Sequence, residues 1–330
     1  MSMRPSALSA ADVDRYDPAR AAFAADVRAG LVSTPKRLPP RWFYDALGSS
    51  LFESICRLPW YAITRAESAL LAAHAREIAS ELGDAGSIIE LGGGSGEKLT
   101  LLLDALEERD YATRVHLVDV SARALELASA NLARFADVTF VPIEATYEQG
   151  LSEAVRVPAA GRQMVVFLGS NIGNSEPDEA RALLYRIAAS LRPGDLFLLG
   201  ADLVKPEGDL LLAYDDPLGV TAAFNRNLLQ RMNTELGADF ELQTFAHQAR
   251  WNAAAGRVEM HLVSRLRQTV HVPGAGLRIS FVSGESIWTE SSHKYDSASI
   301  QALGASAGFH QRAHWIEPRA RFALTLFARG

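Results

Sequence analysis

The sequence predicts an α/β fold, a doubly wound and mainly parallel sheet with a second α+β lobe, and three observations carry that prediction. Apolar runs near residues 87–91, 114–119, 138–143, 163–169 and 195–201 alternate with helical segments, the order that a parallel sheet with helices on both faces requires. The first run, Ile88-Ile89-Glu90-Leu91, passes through Gly92-Gly93-Gly94-Ser95-Gly96 into a segment whose Leu99, Leu102, Leu103 and Leu106 recur at helical spacing. The second run ends in Asp119, where the acid of an open sheet can accept hydrogen bonds from ribose hydroxyls.

No register of the glycine loop satisfies the dinucleotide pattern G-x-G-x-x-G, because the third position falls on Glu97. What remains is acidic-x-G-x-G-x-G from Glu90 to Gly96, a pattern that a plain tight loop would also show. Residues 1–16 carry no clear pattern. Asp17-Pro18 reads as a cap and first helical residue of a helix ending near Gly30, and a proline-broken link then leads to a short aromatic-rich helix ending near Leu58. Thr64-Arg-Ala-Glu67 reads as a capping box for a helix that buries Leu71, Ile78 and Leu82. After residue 202 the alternation breaks into a long helix, Pro217 to Leu236, and strands near 243–252, 257–270 and 277–282. A helix near 297–307 and a strand pair, 310–316 and 321–328, resume the sheet. The expected domains are an N-terminal helical part (1–62) of a second lobe, an open-sheet domain (63–202 and 295–330) and an inserted α+β part of that second lobe (203–294).

Composition narrows the function. A chain of 330 residues with 48% hydrophobic content can bury a large core, and a net charge of −6 without a basic block disfavours nucleic acid. No uncharged apolar run approaches the roughly 18 residues that span a bilayer, so the expected setting is the cytoplasm, without membrane attachment. Cys56 is the single cysteine and reads as a packed thiol; the histidines are scattered, and no metal site is expected.

Ligands of open α/β sheets bind beyond the carboxyl ends of the strands, which directs attention to Phe167-Leu-Gly-Ser-Asn-Ile-Gly-Asn174. On spacing alone Asn174 or Ser175 reads equally well as a helix cap, Asp215 or Asp216 as another, Glu290 as a surface residue, and Tyr44 and Tyr61 as packing aromatics.

The glycine loop with Asp119 resembles the cofactor motif of Class I S-adenosylmethionine-dependent methyltransferases. Further segments look like those of the histidine-specific Nα-methyltransferases of ergothioneine biosynthesis: Leu38-Pro-Pro-Arg-Trp-Phe-Tyr-Asp45, Gly48-Ser-Ser-Leu-Phe52, Arg57-Leu-Pro59 with Tyr61 and Thr64-Arg-Ala-Glu67, Phe167 to Asn174, Ala213-Tyr-Asp-Asp216, Gly219 to Asn227 and Thr289-Glu-Ser-Ser292. This resemblance covers nearly all of the chain beyond residue 20. It implies trimethylation of the α-amine of L-histidine to hercynine by a monomeric enzyme using S-adenosyl-L-methionine. It places the cofactor against Gly92, Lys98, Asp119, Thr146, Tyr147 and Gly169. The substrate amine falls to Asn174, its carboxylate to Tyr61 and Tyr214, and its imidazole to Glu290 and Ser292. Tyr44 would stand near the junction of the two ligands, and Met260 would shape the side-chain pocket.

The chain departs from the family at Thr146, where an aspartate is usual, and at Ala62-Ile63, where Tyr-Pro is usual. Two other readings compete: a methyltransferase of this fold acting on another amine such as tryptophan, and a non-catalytic module that binds S-adenosylmethionine.

Overall fold

The computed structural model describes residues 18–83, 86–107, 113–157 and 161–330; residues 1–16 and the expected cap Asp17 lie outside them. In chain order the elements begin with α1 (Pro18–Leu31), β1 (Lys36–Arg37), α2 (Ala46–Cys56), α3 (Ile63–Leu82), β2 (Ser87–Leu91), α4 (Glu97–Glu107), β3 (Thr113–Asp119) and α5 (Ala122–Leu132). They continue through β4 (Val138–Glu144), α6 (Tyr147–Ala154), β5 (Gln163–Phe167), α7 (Pro177–Ser190), β6 (Leu196–Asp202), α8 (Glu207–Tyr214) and α9 (Val220–Leu236). The remainder is β7 (Phe245–Asn252), β8 (Arg257–Ser264), β9 (Gln268–Val272), β10 (Leu277–Phe281), β11 (Ser286–His293), α10 (Ser297–Ser306), β12 (Phe309–Glu317) and β13 (Phe322–Arg329).

The chain forms two compact units. One comprises the described residues up to Phe43 with Ala222–Gln248 and Met260–Glu290; the other comprises Tyr44–Thr221, Ala249–Glu259 and Ser291–Gly330. These divisions cut the chain at different points from the expected domains: α2 and α8 group with the open-sheet part, and the segment 203–294 is shared.

The larger unit is built on a seven-stranded sheet in the order β12-β13-β6-β5-β2-β3-β4. Strands β6, β5, β2, β3 and β4 are parallel, as the alternation predicted, and β13 and β12 close the edge antiparallel. Strands β2 and β5 read as mainly apolar stretches because both faces are covered, and all five residues of each are buried, Glu90 and Gln163 included. Strand order reverses between β2 and β5, which makes the loops leaving those strands the natural ligand crevice.

In the smaller unit, Phe23 packs on Trp42 and Phe43 stacks on Phe224, while Phe240, Phe245 and Phe281 form a second aromatic cluster. Its sheet runs β1-β11-β8-β7, and β9 pairs with β10 in a hairpin. The single strand expected over 257–270 is two, β8 and β9, broken at Arg265–Arg267. Strand β11 was not anticipated, because its Ser, Thr and His residues mask the alternating burial that it shows from Ser286 to Glu290.

The capping box expected at Thr64 and Glu67 is not formed. Helix α3 starts at Ile63 with Ala62 as its cap, and Glu67 turns into the protein with no exposed surface. A cap is worth ~1 kcal/mol, whereas a buried carboxylate bonded to an ammonium and a backbone N–H gains charge-assisted bonds of about 1.5–3 kcal/mol each. Leu71, Ile78 and Leu82 form the buried stripe of α3 as predicted.

Candidate active site

The glycine loop leaves β2 with Gly92 at φ +70° and Gly94 at φ +57°. A side chain at Gly92 would be strained and would lie 2.9 Å from the Asn171 amide and 3.0 Å from the Tyr147 ring, so the loop keeps an open cradle between them. Asp119, at the end of β3, accepts from the backbone N–H of Ser121 through Oδ1 (2.9 Å) and from that of Gly94 through Oδ2 (3.3 Å). Burial raises its carboxyl above the usual aspartate value, and the backbone donors oppose that rise. Thr146 caps α6, its hydroxyl 3.5 Å from the Gln149 N–H, and Tyr147 opens that helix with its ring edge-on to Phe167.

Beneath this loop lies a charged cluster that the sequence did not reveal. Both Glu67 carboxylate oxygens accept from the Gly169 N–H at 2.8 Å, and Oε2 also accepts from the Lys98 ammonium at 2.5 Å. Gly200 makes room for it, since a Cβ there would fall 1.8 Å from Glu67 Oε1. Burial alone would lower the Lys98 ammonium, but Glu67 carries it above its ordinary value. Glu90 is 1% exposed, and neither of its carboxyl oxygens has a hydrogen-bond partner among the described residues. Burial pushes its carboxyl up to about 7, Lys98 opposing and Glu67 and Asp119 reinforcing the rise.

The loop after β5 holds Gly169 and Ser170 in the left-handed region, and the Ser170 hydroxyl accepts from the Asp202 N–H at 2.9 Å. Asn174 ends a short 3₁₀ turn, Asn171–Asn174. The cap of α7 is Glu176, whose N–H donates to Glu179, so the reading of Asn174 or Ser175 as that cap is corrected. Gly173 abuts the backbone of His293, setting this turn against the end of β11. Helix α9 starts at Val220, later than the expected Pro217, and Asp216 caps it from a distance, its carboxylate accepting from the N–H groups of Val220 and Thr221 at 3.2 and 2.7 Å.

The tyrosines come together as an aromatic row. Tyr44 meets Phe52 edge-on at 5.6 Å, Phe52 meets Tyr61 at 6.4 Å, and Tyr61 meets Tyr214 at 6.3 Å. The Tyr214 and Ser292 hydroxyls lie 2.7 Å apart, and the buried Lys294 donates to both, at 2.8 and 2.9 Å. Met260 and Glu290 belong to the smaller unit, on the neighbouring strands β8 and β11. They are tied through Thr289, which donates to the Met260 carbonyl (3.0 Å) and to buried Asn225 (2.8 Å). Glu290 is half-buried, so the surface reading is set aside. Sequence reasoning read Glu67 as a capping residue and passed over Asp202 and Lys294; Lys294 carried a signal, as an ionisable residue two positions beyond the motif segment Thr289–Ser292.

Residues 23–329 match the family model described as "Histidine-specific methyltransferase, SAM-dependent". The chain belongs to that family. It is 43% identical over 323 residues to the histidine N-alpha-methyltransferase of Mycolicibacterium smegmatis, covering 98% of this chain and 99% of that one. The corresponding enzyme of Mycobacterium tuberculosis is 43% identical over 314 residues, covering 95% and 97%. A 4-dimethylallyltryptophan N-methyltransferase of Claviceps purpurea is 28% identical, covering 89% and 91%. The cofactor of the family is S-adenosyl-L-methionine, and the residues present suit it. The cradle at Gly92 admits a close approach, Asp119 supplies acceptors at the end of β3, and Glu90 holds buried, unpartnered oxygens that match an ammonium.

Proposed function

We propose that this chain transfers methyl groups from S-adenosyl-L-methionine to the α-amine of L-histidine, three in succession, giving hercynine. The observation that carries the reading is the full-length family match. It is supported by the assembly of Tyr44, Tyr61, Tyr214 and Ser292 in one connected group beside the turn that presents Asn174.

Bound at the glycine loop, the cofactor supplies an electrophilic methyl on a sulfonium. The chain positions the amine, a contribution of roughly 7–11 kcal/mol to such barriers when geometry is held. Asn174 is assigned to the α-amine. An amide can accept from an N–H without carrying the charge that would hold the amine as an unreactive ammonium. The faces of Tyr44 and Tyr61 are assigned to the growing methylammonium charge, worth about 0.5–2 kcal/mol. Tyr61 and Tyr214 are assigned to the carboxylate, and Glu290, Ser292 and Met260 to the side chain. We place the enzyme in the cytoplasm as a monomer.

Mass spectrometry of L-histidine incubated with cofactor and protein tests this: the product must gain three methyl groups, and unchanged histidine would refute the reading. The tryptophan alternative rests on the Claviceps purpurea relative. Glu290→Ala separates the two: for histidine, KM rises about 100-fold, the loss of a charge-assisted bond plus the buried group left unpaired. An indole substrate would be indifferent to the change or favour it.

A further inference from the structure

Lys294 follows β11 with its side chain fully enclosed. Its ammonium lies 2.9 Å from Asp202 Oδ2, 2.8 Å from Tyr214 Oη and 2.9 Å from Ser292 Oγ. An ammonium has three hydrogens and no lone pair, so these three partners use all of it. A hydroxyl has one hydrogen and two lone pairs. Tyr214 and Ser292 must therefore each accept from Lys294, and neither can direct its own hydrogen there. One of those hydrogens bridges the 2.7 Å gap between the two oxygens. When an acceptor is brought up to the pair, that bridge can open and both hydrogens can turn toward it, since Lys294 keeps a lone pair of each oxygen occupied.

Charge acts in the same sense. Asp202 also accepts from Lys205 at 2.5 Å, so two ammonium groups face one carboxylate and the cluster carries an excess positive charge. Tyr214 stays protonated: burial raises its hydroxyl above the usual tyrosine value in spite of Lys294. A hydroxyl pair set beside that charge, with one lone pair of each oxygen already taken by a buried donor, favours lone pairs over N–H groups as partners.

We propose that Lys294 is a positioning residue that fixes the Tyr214 and Ser292 hydroxyls as donors, one to the substrate carboxylate and the other to an unprotonated ring nitrogen. The inference rests on the histidine reading given above. It adds that the substrate is taken with a neutral imidazole whose N–H points away from Ser292.

Lys294→Met tests it, because Lys205 still partners Asp202 in that variant. The variant is expected to raise KM for L-histidine about 10- to 100-fold while the Kd for S-adenosylmethionine stays within about threefold. The preference for L-histidine over histamine, which lacks the carboxylate, must shrink as well. In a Tyr214→Phe/Ser292→Ala background the same change must cost less than about threefold, because the hydroxyls it orients are gone. An unchanged KM, or an equal loss in both backgrounds, overturns the proposal. If Lys294→Met does not fold, Lys294→Arg and Lys294→Gln decide. Arg has only donors and must keep KM within about tenfold, whereas the Gln amide oxygen can take a hydroxyl hydrogen and must lose more. Equal behaviour of the two overturns the inference. Wild-type turnover is measured first: failure to methylate histidine removes the functional reading and this inference together, and turnover with indifferent variants removes the inference alone.

Discussion

Two buried clusters in the larger unit use the same chemistry with opposite balance. Near the glycine loop, one ammonium, Lys98, stands among the carboxyl groups of Glu67, Glu90 and Asp119. Between β6 and the end of β11, two ammonium groups, Lys205 and Lys294, stand around one carboxylate, Asp202. The first place has surplus negative charge and suits a ligand bearing an ammonium and a sulfonium; the second has surplus positive charge and suits a carboxylate. The difference also shows in what each lysine holds. Lys98 pairs with a carboxylate that grips backbone, whereas Lys294 grips two hydroxyls. One cluster fixes a loop, and the other fixes the direction of hydrogen bonds.

The largest test breaks the first cluster. Glu67→Ala leaves the Lys98 ammonium and the Gly169 N–H without their acceptor, and a loss of about 3–5 kcal/mol in unfolding free energy is expected in urea titrations. A loss below about 1 kcal/mol would mean that the pair does not hold the loop.

A second test concerns Glu90, whose carboxyl rises from 4.5 to about 7. The folded chain then holds a proton that the unfolded chain has released, so stability falls as pH rises from 4.5 to 7 and levels off above that. The drop is on the order of 3 kcal/mol. Glu90→Gln, which has no proton to lose, is expected to flatten this decline and to be the more stable protein at pH 8 in the absence of ligand. It should also weaken S-adenosylmethionine binding in calorimetry, since the surplus negative charge is reduced. A variant as pH-sensitive as the parent would contradict the assignment.

The smallest effect is at Thr146. Thr146→Asp keeps a capping side chain and adds an acceptor on the negatively charged side, so a gain of a few fold in affinity for S-adenosylmethionine is expected, with stability within about 1 kcal/mol.

The sheet was legible because burial on both faces writes itself into the sequence as apolar runs, and the glycines and Asp119 marked its ligand end. Glu67 was misread for the opposite reason. Its spacing from Thr64 satisfies a local rule, while its actual partners are 31 and 102 residues away in sequence. The same holds for Lys294, whose Asp202 and Tyr214 partners come from distant elements. Strand β11 escaped notice because polar residues occupy buried positions there, held by hydrogen bonds such as that from Thr289 to Asn225.

Closure of α7 by Glu176 relieves Asn174 of any duty in holding that helix together. Exchange of this amide is therefore expected to leave that helix intact, so that a variant at this position reports on the proposed contact with the substrate amine and not on the fold.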